Sequence, residues 1–421
     1  MIKRDLYQNL KEHILKKEIT FIVGPRQAGK TTLMLMLMDE LLKKDKKVLF
    51  LNLDIEMDKQ FFGTQLDLLK KIELEIGSEG YVFIDEIQRK NDAGVFLKGI
   101  YDQNFSYKFI VSGSGSVELK EKVHESLAGR KRVFELSIVS FKEFLNYKTS
   151  YKYGEKIIDF FKLEKEKTLK FLEEYISFGG HPRVVLDETY KEKNSTINEI
   201  FQSYLEKDIY YLLKVEKSEI FINLIRILAS QLGKLANYSE LSNTIGINVL
   251  TLKNYIWYLE KTFILKRVSP FYKNIRKEIT KSPIFYFYDL GMRNFILNVF
   301  GKLDSISDKG FLFQNFIFNI LSERLKETST TINFWRTQDK AEVDFVLNFG
   351  NNYIPIEVKY SLIKKPVVSR SLLSFIKKYN PPQAFIVNLG NNDILKIDNT
   401  EVIFMPFYRL YDIEFLKISS R

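Results

Sequence analysis

The amino-acid sequence predicts an α/β fold with a parallel β-sheet that binds phosphate groups at one edge. Residues 24–31 read GPRQAGKT and match the pattern G-x-x-x-x-G-K-[ST] at every fixed position. An apolar run at 19–23 indicates a strand before this segment, and a helical run at 32–42 follows it. The backbone N–H groups of such a loop and the N-terminus of the next helix face an anion together. The segment is therefore predicted to be a phosphate-binding P-loop.

This P-loop supplies the residues that we expect to bind ATP. Lys30 would neutralise the β- and γ-phosphates, and the Thr31 hydroxyl would be a ligand of Mg²⁺. The predicted nucleotide-binding residues of this segment are Gly24, Pro25, Arg26, Gln27, Ala28, Gly29, Lys30, Thr31 and Thr32.

An acidic pair ends another apolar run at residues 81–86. The sequence YVFIDE is typical of a buried strand followed by two carboxylates. Asp85 would hold Mg²⁺, and Glu86 would polarise the attacking water, because phosphoryl transfer needs positioning and charge neutralisation from the protein. The two segments together predict ATP hydrolysis as well as ATP binding.

Two further apolar runs, 47–54 and 107–114, give a pattern of strands that alternate with helices. This alternation predicts a parallel sheet covered by helices on both faces. Ser112 and Ser114 stand at the end of the second run, where α/β folds place ligand contacts. We assign Ser114 to sensing the γ-phosphate, and a simple turn at the end of the strand explains the serines equally well.

Arg130 is the candidate for the arginine that stabilises the charge of the transition state. It lies in a glycine-containing turn before a strand predicted at 132–136. Such a guanidinium acts in cis or is supplied by a neighbouring subunit. A solvated surface arginine is the alternative, since the sequence does not show what this side chain faces.

The C-terminal region holds a second group of charged residues. Two strands, 341–347 and 353–359, are joined by a tight turn and predict a hairpin. Glu357 and Lys359 are two residues apart and share one face of a strand, where Asp344 of the paired strand meets them. Carboxylates and a lysine inside apolar strands are costly to bury without a metal ion or mutual pairing.

This group suits phosphodiester hydrolysis. Asp344 and Glu357 would bind Mg²⁺, and Lys359 would orient or activate water and stabilise the pentavalent charge. Two other interpretations stay open: an ordinary hairpin with solvated charges, and a nuclease fold that keeps its shape without activity.

The chain resembles a prokaryotic family of AAA-type P-loop ATPases with a C-terminal restriction-endonuclease-like domain of unknown function. The resemblance implies ATP binding and hydrolysis. At Gln314 the chain departs from the family pattern, which usually has a glutamate there, and an amide is a weaker Mg²⁺ ligand than a carboxylate. The segments that carry the resemblance are 24–31, 83–88, 127–130, 136–144, 179–182 and 286–291, together with Asp344, Glu357 and Lys359.

Four domains are expected: an ATPase core at 1–148, a helical lid at 149–214, a winged helix at 215–298 and an α/β restriction-endonuclease-like domain at 299–421. The winged helix is predicted from helices at 220–232, 237–245 and 249–261, with a turn at 246–248 and a basic strand pair after them.

The net charge of +11 favours contact with polyanions. Many of the basic residues that follow position 260 are interleaved with aromatic ones, which suits DNA as a partner of the winged helix. A purely structural winged helix is the alternative. The residues predicted to contact DNA are Lys253, Asn254, Arg267 and Lys273.

Composition excludes several classes of protein. The 421 residues include no cysteine, which rules out disulfides and thiolate zinc sites. The three histidines, His13, His124 and His181, are too far apart for a helix-based metal motif, and His181 is expected to be a turn residue. The first ten residues carry charges unlike those of a secretory signal, and apolar runs are too short to span a bilayer. We expect a cytoplasmic protein without a membrane partner.

Two classes of function follow from these patterns. In the first, an ATP-hydrolysing motor or switch acts on DNA or is regulated by it, through the winged helix and the nuclease-like domain. In the second, ATP controls interaction or assembly, with an inactive nuclease-like domain as a docking surface and further copies of the chain as partners.

Overall fold

The computed structural model describes residues 1–114, 127–205, 218–272, 274, 278–279, 281–307, 309–350 and 352–412. The chain forms two compact units. The first unit comprises Met1–Glu143, His181–Ser218 and Trp257–Ile264, and the second unit comprises Phe144–Gly180, Glu219–Ile256 and Leu265–Arg421. The segment predicted as a lid, 149–214, therefore supplies residues to both units. The four domain limits expected from the sequence stay a prediction.

A parallel five-stranded sheet forms the centre of the first unit. Its strands are β1 (Ile19–Gly24), β2 (Val48–Asn52), β3 (Glu79–Asp85), β4 (Ser106–Ser114) and β5 (Lys131–Glu135). They lie in the order β2-β3-β4-β1-β5, and all four pairings are parallel. This confirms the predicted α/β fold.

Helices cover this sheet, so that every residue of β1 is buried. Helix Lys30–Leu42 contributes Leu33, Leu37 and Leu41, which recur at one-turn spacing and join the apolar core beside the sheet. The described part of the first unit also contains helices Leu6–His13, Glu56–Lys59, Gln65–Ile76, Ala93–Tyr101, Pro182–Leu186 and Tyr190–Tyr204. Helices Phe141–Lys148 and Val249–Lys261 each have residues in both units.

The second unit includes helices Ile157–Leu163, Lys165–Phe178, Ser218–Ser230, Tyr238–Ile245, Leu290–Ile296, Lys309–Arg324 and Arg370–Tyr379. An antiparallel pair, β6 (Leu265–Val268) and β7 (Ile284–Phe287), follows helix Val249–Lys261. The helices expected at 220–232, 237–245 and 249–261 are all present, within two residues of their predicted bounds. Their interpretation as a DNA-binding winged helix stays a prediction, and Lys273 lies outside the described residues.

A six-stranded sheet forms the C-terminal part of the second unit. Its strands are β8 (Thr331–Arg336), β9 (Glu342–Phe349), β10 (Asn352–Val358), β11 (Gln383–Asn388), β12 (Asp393–Ile397) and β13 (Thr400–Pro406). They lie in the order β12-β13-β11-β10-β9-β8. Strands β8, β9 and β10 are antiparallel, whereas β10, β11 and β13 are parallel. The predicted hairpin is present as β9–β10, and its pairing extends to Phe349 and Asn352, beyond the predicted strand ends at 347 and 353.

Helix Arg370–Tyr379 packs on this sheet through Leu372, Phe375 and Ile376, which belong to its apolar core. No helix in the described ranges is both long and apolar enough to cross a membrane.

Candidate functional site

The P-loop of the first unit connects β1 to helix Lys30–Leu42. Gly24 is required by a close approach, because a Cβ there would lie 2.1 Å from the Leu136 carbonyl oxygen. Gly29, just before the helix, has φ +96°, a conformation that side-chain-bearing residues rarely adopt. Steric constraints therefore explain why both positions of the sequence pattern are glycines.

Lys30 is buried at the start of the helix, with 5% of its surface exposed. Its Nζ donates hydrogen bonds to the carbonyl oxygens of Gly24, at 3.0 Å, and Pro25, at 2.8 Å. The ammonium therefore lies against the loop that the sequence predicts to hold phosphate.

Asp85 connects the P-loop with two strands. The Thr31 hydroxyl donates to Asp85 Oδ2 at 2.6 Å, and the Ser112 hydroxyl and the Glu86 N–H donate to Oδ1. Asp85 is 1% exposed. A hydroxyl beside a buried carboxylate offers hard oxygen ligands, so Thr31 and Asp85 fit the predicted Mg²⁺ site. Ser112 positions this carboxylate, and the side chain of Ser114 lies outside what the structure describes.

Glu86 follows directly and has φ +57°, which is uncommon for a residue with a side chain. Its carboxylate accepts a hydrogen bond from the Gln88 amide. Burial raises the pKa of Glu86, and the nearby Lys30 ammonium opposes this rise. Such backbone conformations cluster at functional sites, where surrounding contacts hold them.

A cavity of about 460 Å³ opens on the P-loop. Predicted residues on its wall include Arg26, Gln27, Ala28, Gly29, Lys30, Thr31, Thr32 and Glu86, joined by Met1, Ile2, Arg4, Leu33, Met36, Pro182, Arg183, Leu186 and Ser203.

Sequence reasoning missed the contributions of Pro182 and Arg183 to this wall. The Arg183 guanidinium donates to Gln27 Oε1 at 3.2 Å and to Glu199 Oε2 at 2.9 Å. Pro182 belongs to the motif at 179–182 that carries part of the family resemblance, but only folding brings this proline to the P-loop cavity. His181 directly precedes helix Pro182–Leu186, at its N-cap position.

Arg130 lies at the edge of the sheet where the amino ends of the strands meet, whereas the P-loop lies at the edge formed by their carboxyl ends. The Arg130 carbonyl oxygen accepts from the Ile19 N–H, at the start of β1, whereas the P-loop follows the end of β1. From Ile19 to Gly24, β1 advances by five residues, which separates the two edges by about 17 Å. The Arg130 side chain is therefore too distant to act on its own P-loop. Arg130 instead makes a bidentate pair with Asp102, at 2.6 and 3.1 Å.

In the second unit, folding brings together the predicted residues of the hairpin. Asp344 accepts hydrogen bonds from Gln314 Nε2 at 2.9 Å and from the Val358 N–H at 2.6 Å. Glu357 pairs with Lys359 Nζ at 2.6 Å and accepts from the Ser369 hydroxyl at 2.7 Å. Ser369 caps helix Arg370–Tyr379 and was not predicted.

Protein donors therefore engage all four carboxylate oxygens of Asp344 and Glu357. Burial raises the pKa of Asp344 to about 7. Within the described ranges, no group of three or more His, Cys, Asp or Glu residues could hold a metal ion. The ligand roles predicted for Asp344 and Glu357 thus rest on two carboxylates, with an amide at Gln314.

The residues predicted to contact DNA are only partly described. Lys253, Asn254 and Arg267 are exposed. Lys253 Nζ lies 5.9 Å from the centre of the Tyr238 ring, and the Arg267 guanidinium lies 5.8 Å from that of Phe285. Both cations therefore lie close to aromatic rings of the second unit.

Comparison with known proteins finds three family models along the chain. Residues 16–145 match an AAA domain, residues 169–303 match a domain of unknown function (DUF8612), and residues 309–408 match another domain of unknown function (DUF4143). The first match includes the P-loop, Asp85 and Glu86. Residues 16–145 are therefore similar to AAA domains.

Two relatives are similar over most of this chain. "Uncharacterized protein MJ1544" of Methanocaldococcus jannaschii is 28% identical over 372 residues, which cover 86% of this chain and 78% of that protein. An uncharacterized protein of Haemophilus influenzae is 24% identical over 420 residues, covering 96% of this chain and 98% of that protein. Both similarities extend well beyond the AAA domain.

Among solved structures, AMPPCP-bound DnaA from Aquifex aeolicus aligns with 62% of this chain and 90% of its own length. The identity is 16% and the TM-score is 0.28.

Proposed function

We propose that the first unit binds ATP with Mg²⁺ and hydrolyses it. The observation that carries this proposal is that Lys30, Thr31 and Glu86, from two separate segments, line one cavity. Asp85 lies behind them and accepts hydrogen bonds from Thr31 and from the Glu86 N–H. The AAA match over residues 16–145 supports the same conclusion.

Each residue has a role that its surroundings suit. Lys30 and the loop N–H groups bind the β- and γ-phosphates. Thr31 and Asp85 would hold Mg²⁺, which neutralises phosphate charge when it is bound. Glu86 orients the attacking water, and its raised pKa makes it a better proton acceptor than an ordinary glutamate.

The apolar part of the cavity wall suits the nucleotide base. Met1, Ile2, Leu33, Met36 and Leu186 line it, and such side chains pack against an aromatic ring better than against phosphates. Arg26 and Arg183 add positive charge to the same wall.

Two variants test the proposal. Lys30→Ala should abolish tight binding of a fluorescent ATP analogue, whereas Glu86→Gln should bind it normally and release phosphate at least about a hundredfold more slowly. Glu79→Gln, at the exposed opposite end of β3, is the matched control and should turn over normally. Equal loss of binding in Lys30→Ala and Glu86→Gln would refute the separate roles.

We propose that the second unit binds nucleic acid but does not cleave it. The third group beside Asp344 and Glu357 is the Gln314 amide, which donates to Asp344 through Nε2. An amide is a weaker Mg²⁺ ligand than a carboxylate, so these residues do not fit a ready Mg²⁺ centre. This favours the interpretation in which the nuclease-like shape is kept without activity.

A basic stretch beside this group favours nucleic acid as the partner. Residues 359–392 contain no Asp or Glu. Their cations, all exposed, are Lys359, Lys364, Lys365, Arg370, Lys377 and Lys378. Lys359, at the start of the stretch, pairs with Glu357. The Ser369 hydroxyl, next to Arg370, donates to the same carboxylate, so both parts of the stretch lie beside Glu357. Excess positive charge of this kind binds phosphate backbones by releasing counterions.

Charge reversal tests this second proposal. Lys364→Glu with Lys365→Glu should weaken binding of a DNA duplex at least about tenfold and flatten its salt dependence. Lys165→Glu with Lys167→Glu makes the same charge change at two exposed positions of helix Lys165–Phe178 in the second unit and should have less than about a twofold effect. Equal effects of the two pairs would show that only net charge matters.

A further inference from the structure

The Arg4 guanidinium is buried beside the P-loop, with 9% of the residue exposed. Its Nη1 donates to the Ala28 carbonyl oxygen at 2.7 Å, and its Nη2 donates to the carbonyl oxygens of Ser137 and Ile138 at 2.6 and 3.0 Å. Its Nε lies 3.0 Å from Glu143 Oε2. One arginine therefore joins the P-loop to the segment that follows β5.

Glu143 is held independently of this arginine. Its Oε1 accepts from the Asp5 N–H at 2.7 Å, and its Oε2 accepts from the Ser140 N–H at 2.9 Å. The Ser140 hydroxyl in turn accepts from the Glu143 N–H at 3.2 Å. This reciprocal pair fixes the start of helix Phe141–Lys148. Because Glu143 is fixed and 4% exposed, it is a rigid partner for the guanidinium.

The Ala28 carbonyl matters because it shares a peptide plane with the Gly29 N–H. In a trans peptide these two groups point in opposite directions. A donor that holds the carbonyl on one side therefore turns the N–H to the other side. Gly29 has φ +96° and no side chain to restrict this peptide, so an external contact is needed to fix its orientation.

We propose that Arg4, held by Glu143, is a positioning residue that keeps the Gly29 N–H directed at the nucleotide phosphates. The inference rests on the proposed ATP binding of the first unit. Arg4 acts through the loop backbone, so its loss lowers affinity for the phosphate chain and leaves the chemical step to Glu86 and Asp85.

The test compares ATP with inorganic tripolyphosphate as competitors of a fluorescent ATP analogue. Arg4→Ala should weaken both by the same factor, at least about tenfold, as expected when one charged hydrogen bond is lost. The kcat at saturating ATP should change by less than about threefold, so that the loss appears in KM. Glu143→Gln, which keeps an acceptor but removes the charge, should weaken both ligands by about threefold to tenfold.

A matched control separates positioning from general stability. Arg293 of the second unit is also buried and donates to the Ala229 carbonyl oxygen at 3.0 Å and to Asn294 Oδ1 at 3.1 Å. Arg293→Ala should lower the melting temperature and leave ATP affinity within about twofold. If Arg4→Ala does not fold, Arg4→Lys and Glu143→Gln carry the test, because each keeps one charge or one acceptor.

Two results would overturn the inference: folded Arg4 variants with normal affinity for both ligands, or weakened ATP binding with unchanged tripolyphosphate binding. Lys30→Ala distinguishes this failure from failure of the proposed function. If Lys30→Ala loses nucleotide and the Arg4 variants do not, ATP binding stands and only the role of Arg4 is wrong. If Lys30→Ala keeps its affinity, the ATP site itself is wrong.

Discussion

The Thr31 hydroxyl donates a hydrogen bond to Asp85 Oδ2 at 2.6 Å, across 54 positions of sequence. The contact joins the start of helix Lys30–Leu42 to the end of β3, which are neighbours because β3, β4 and β1 are adjacent parallel strands. Carboxyl ends of parallel strands meet at one edge of a sheet, and ligands bind there. The two residues predicted to hold Mg²⁺ are therefore side by side.

Removing this hydroxyl should act on the metal dependence of turnover. Thr31→Ala should raise the Mg²⁺ concentration needed for half-maximal ATP hydrolysis at least about tenfold, because one oxygen ligand is lost. Thr31→Ser keeps the hydroxyl and should behave like the natural protein. A Mg²⁺ titration of phosphate release measures both, and equal curves for alanine and serine would exclude Thr31 as a ligand.

Arg130 should act on the site of a neighbouring copy, since it lies at the opposite sheet edge from its own P-loop. Arg130→Ala and Lys30→Ala proteins should each be inactive alone and regain part of the activity when mixed, because some interfaces then combine both intact residues. Asp102→Ala removes the partner of Arg130 and should stay active. Specific activity that is constant over a wide dilution range would contradict a shared site.

Gln314→Glu should make the second unit dependent on divalent cations. The new carboxylate would face Asp344 Oδ1, which now accepts from the amide at 2.9 Å. Because the pKa of Asp344 is already about 7, the two like charges would repel at alkaline pH, where both groups are ionised, and the measurement is made there. The melting temperature should fall by several degrees without metal and recover with Mn²⁺ or Mg²⁺.

The exchanged pair Gln314→Glu with Asp344→Asn restores one amide and one carboxylate and is the control. It should regain stability without metal. If the natural protein cleaves DNA and Asp344→Ala abolishes this cleavage, the second unit is an active nuclease. If only Gln314→Glu cleaves DNA, the amide of Gln314 is what disables the nuclease.

His13 should make the first unit sensitive to acid. Burial, together with the Lys108 cation, lowers the pKa of His13 to about 4. In the unfolded chain the imidazole takes up its proton near pH 6.5. Acidification from about pH 6.5 to 4 therefore favours the unfolded chain. The stability that neutral His13 contributes is fully present only above pH 6.5.

The contribution of His13 should not exceed about 3 kcal/mol. It is obtained as the difference in the free energy of unfolding between the natural protein and His13→Gln, measured by urea denaturation across this range. Parallel pH curves for the two proteins would show that His13 does not titrate in the window.

Local patterns were enough to predict the sheet of the first unit, the P-loop and the C-terminal hairpin. A strand, a glycine turn and a helix start are encoded within a few consecutive residues, so Gly24 and Lys30 could be placed from the sequence alone. The two-residue period of strands was enough to predict that Asp344, Glu357 and Lys359 share one face of the hairpin.

Tertiary structure alone decided which distant residues complete these sites. Arg4 and Glu143 are 139 positions apart, and Arg183 is 156 positions from Gln27. No period or motif connects such pairs, because their geometry depends on how strand order and helix packing return the chain to the P-loop. The same dependence placed Arg130 at the far edge of the sheet, since the start of β5 pairs with the start of β1 and the P-loop follows the end of β1.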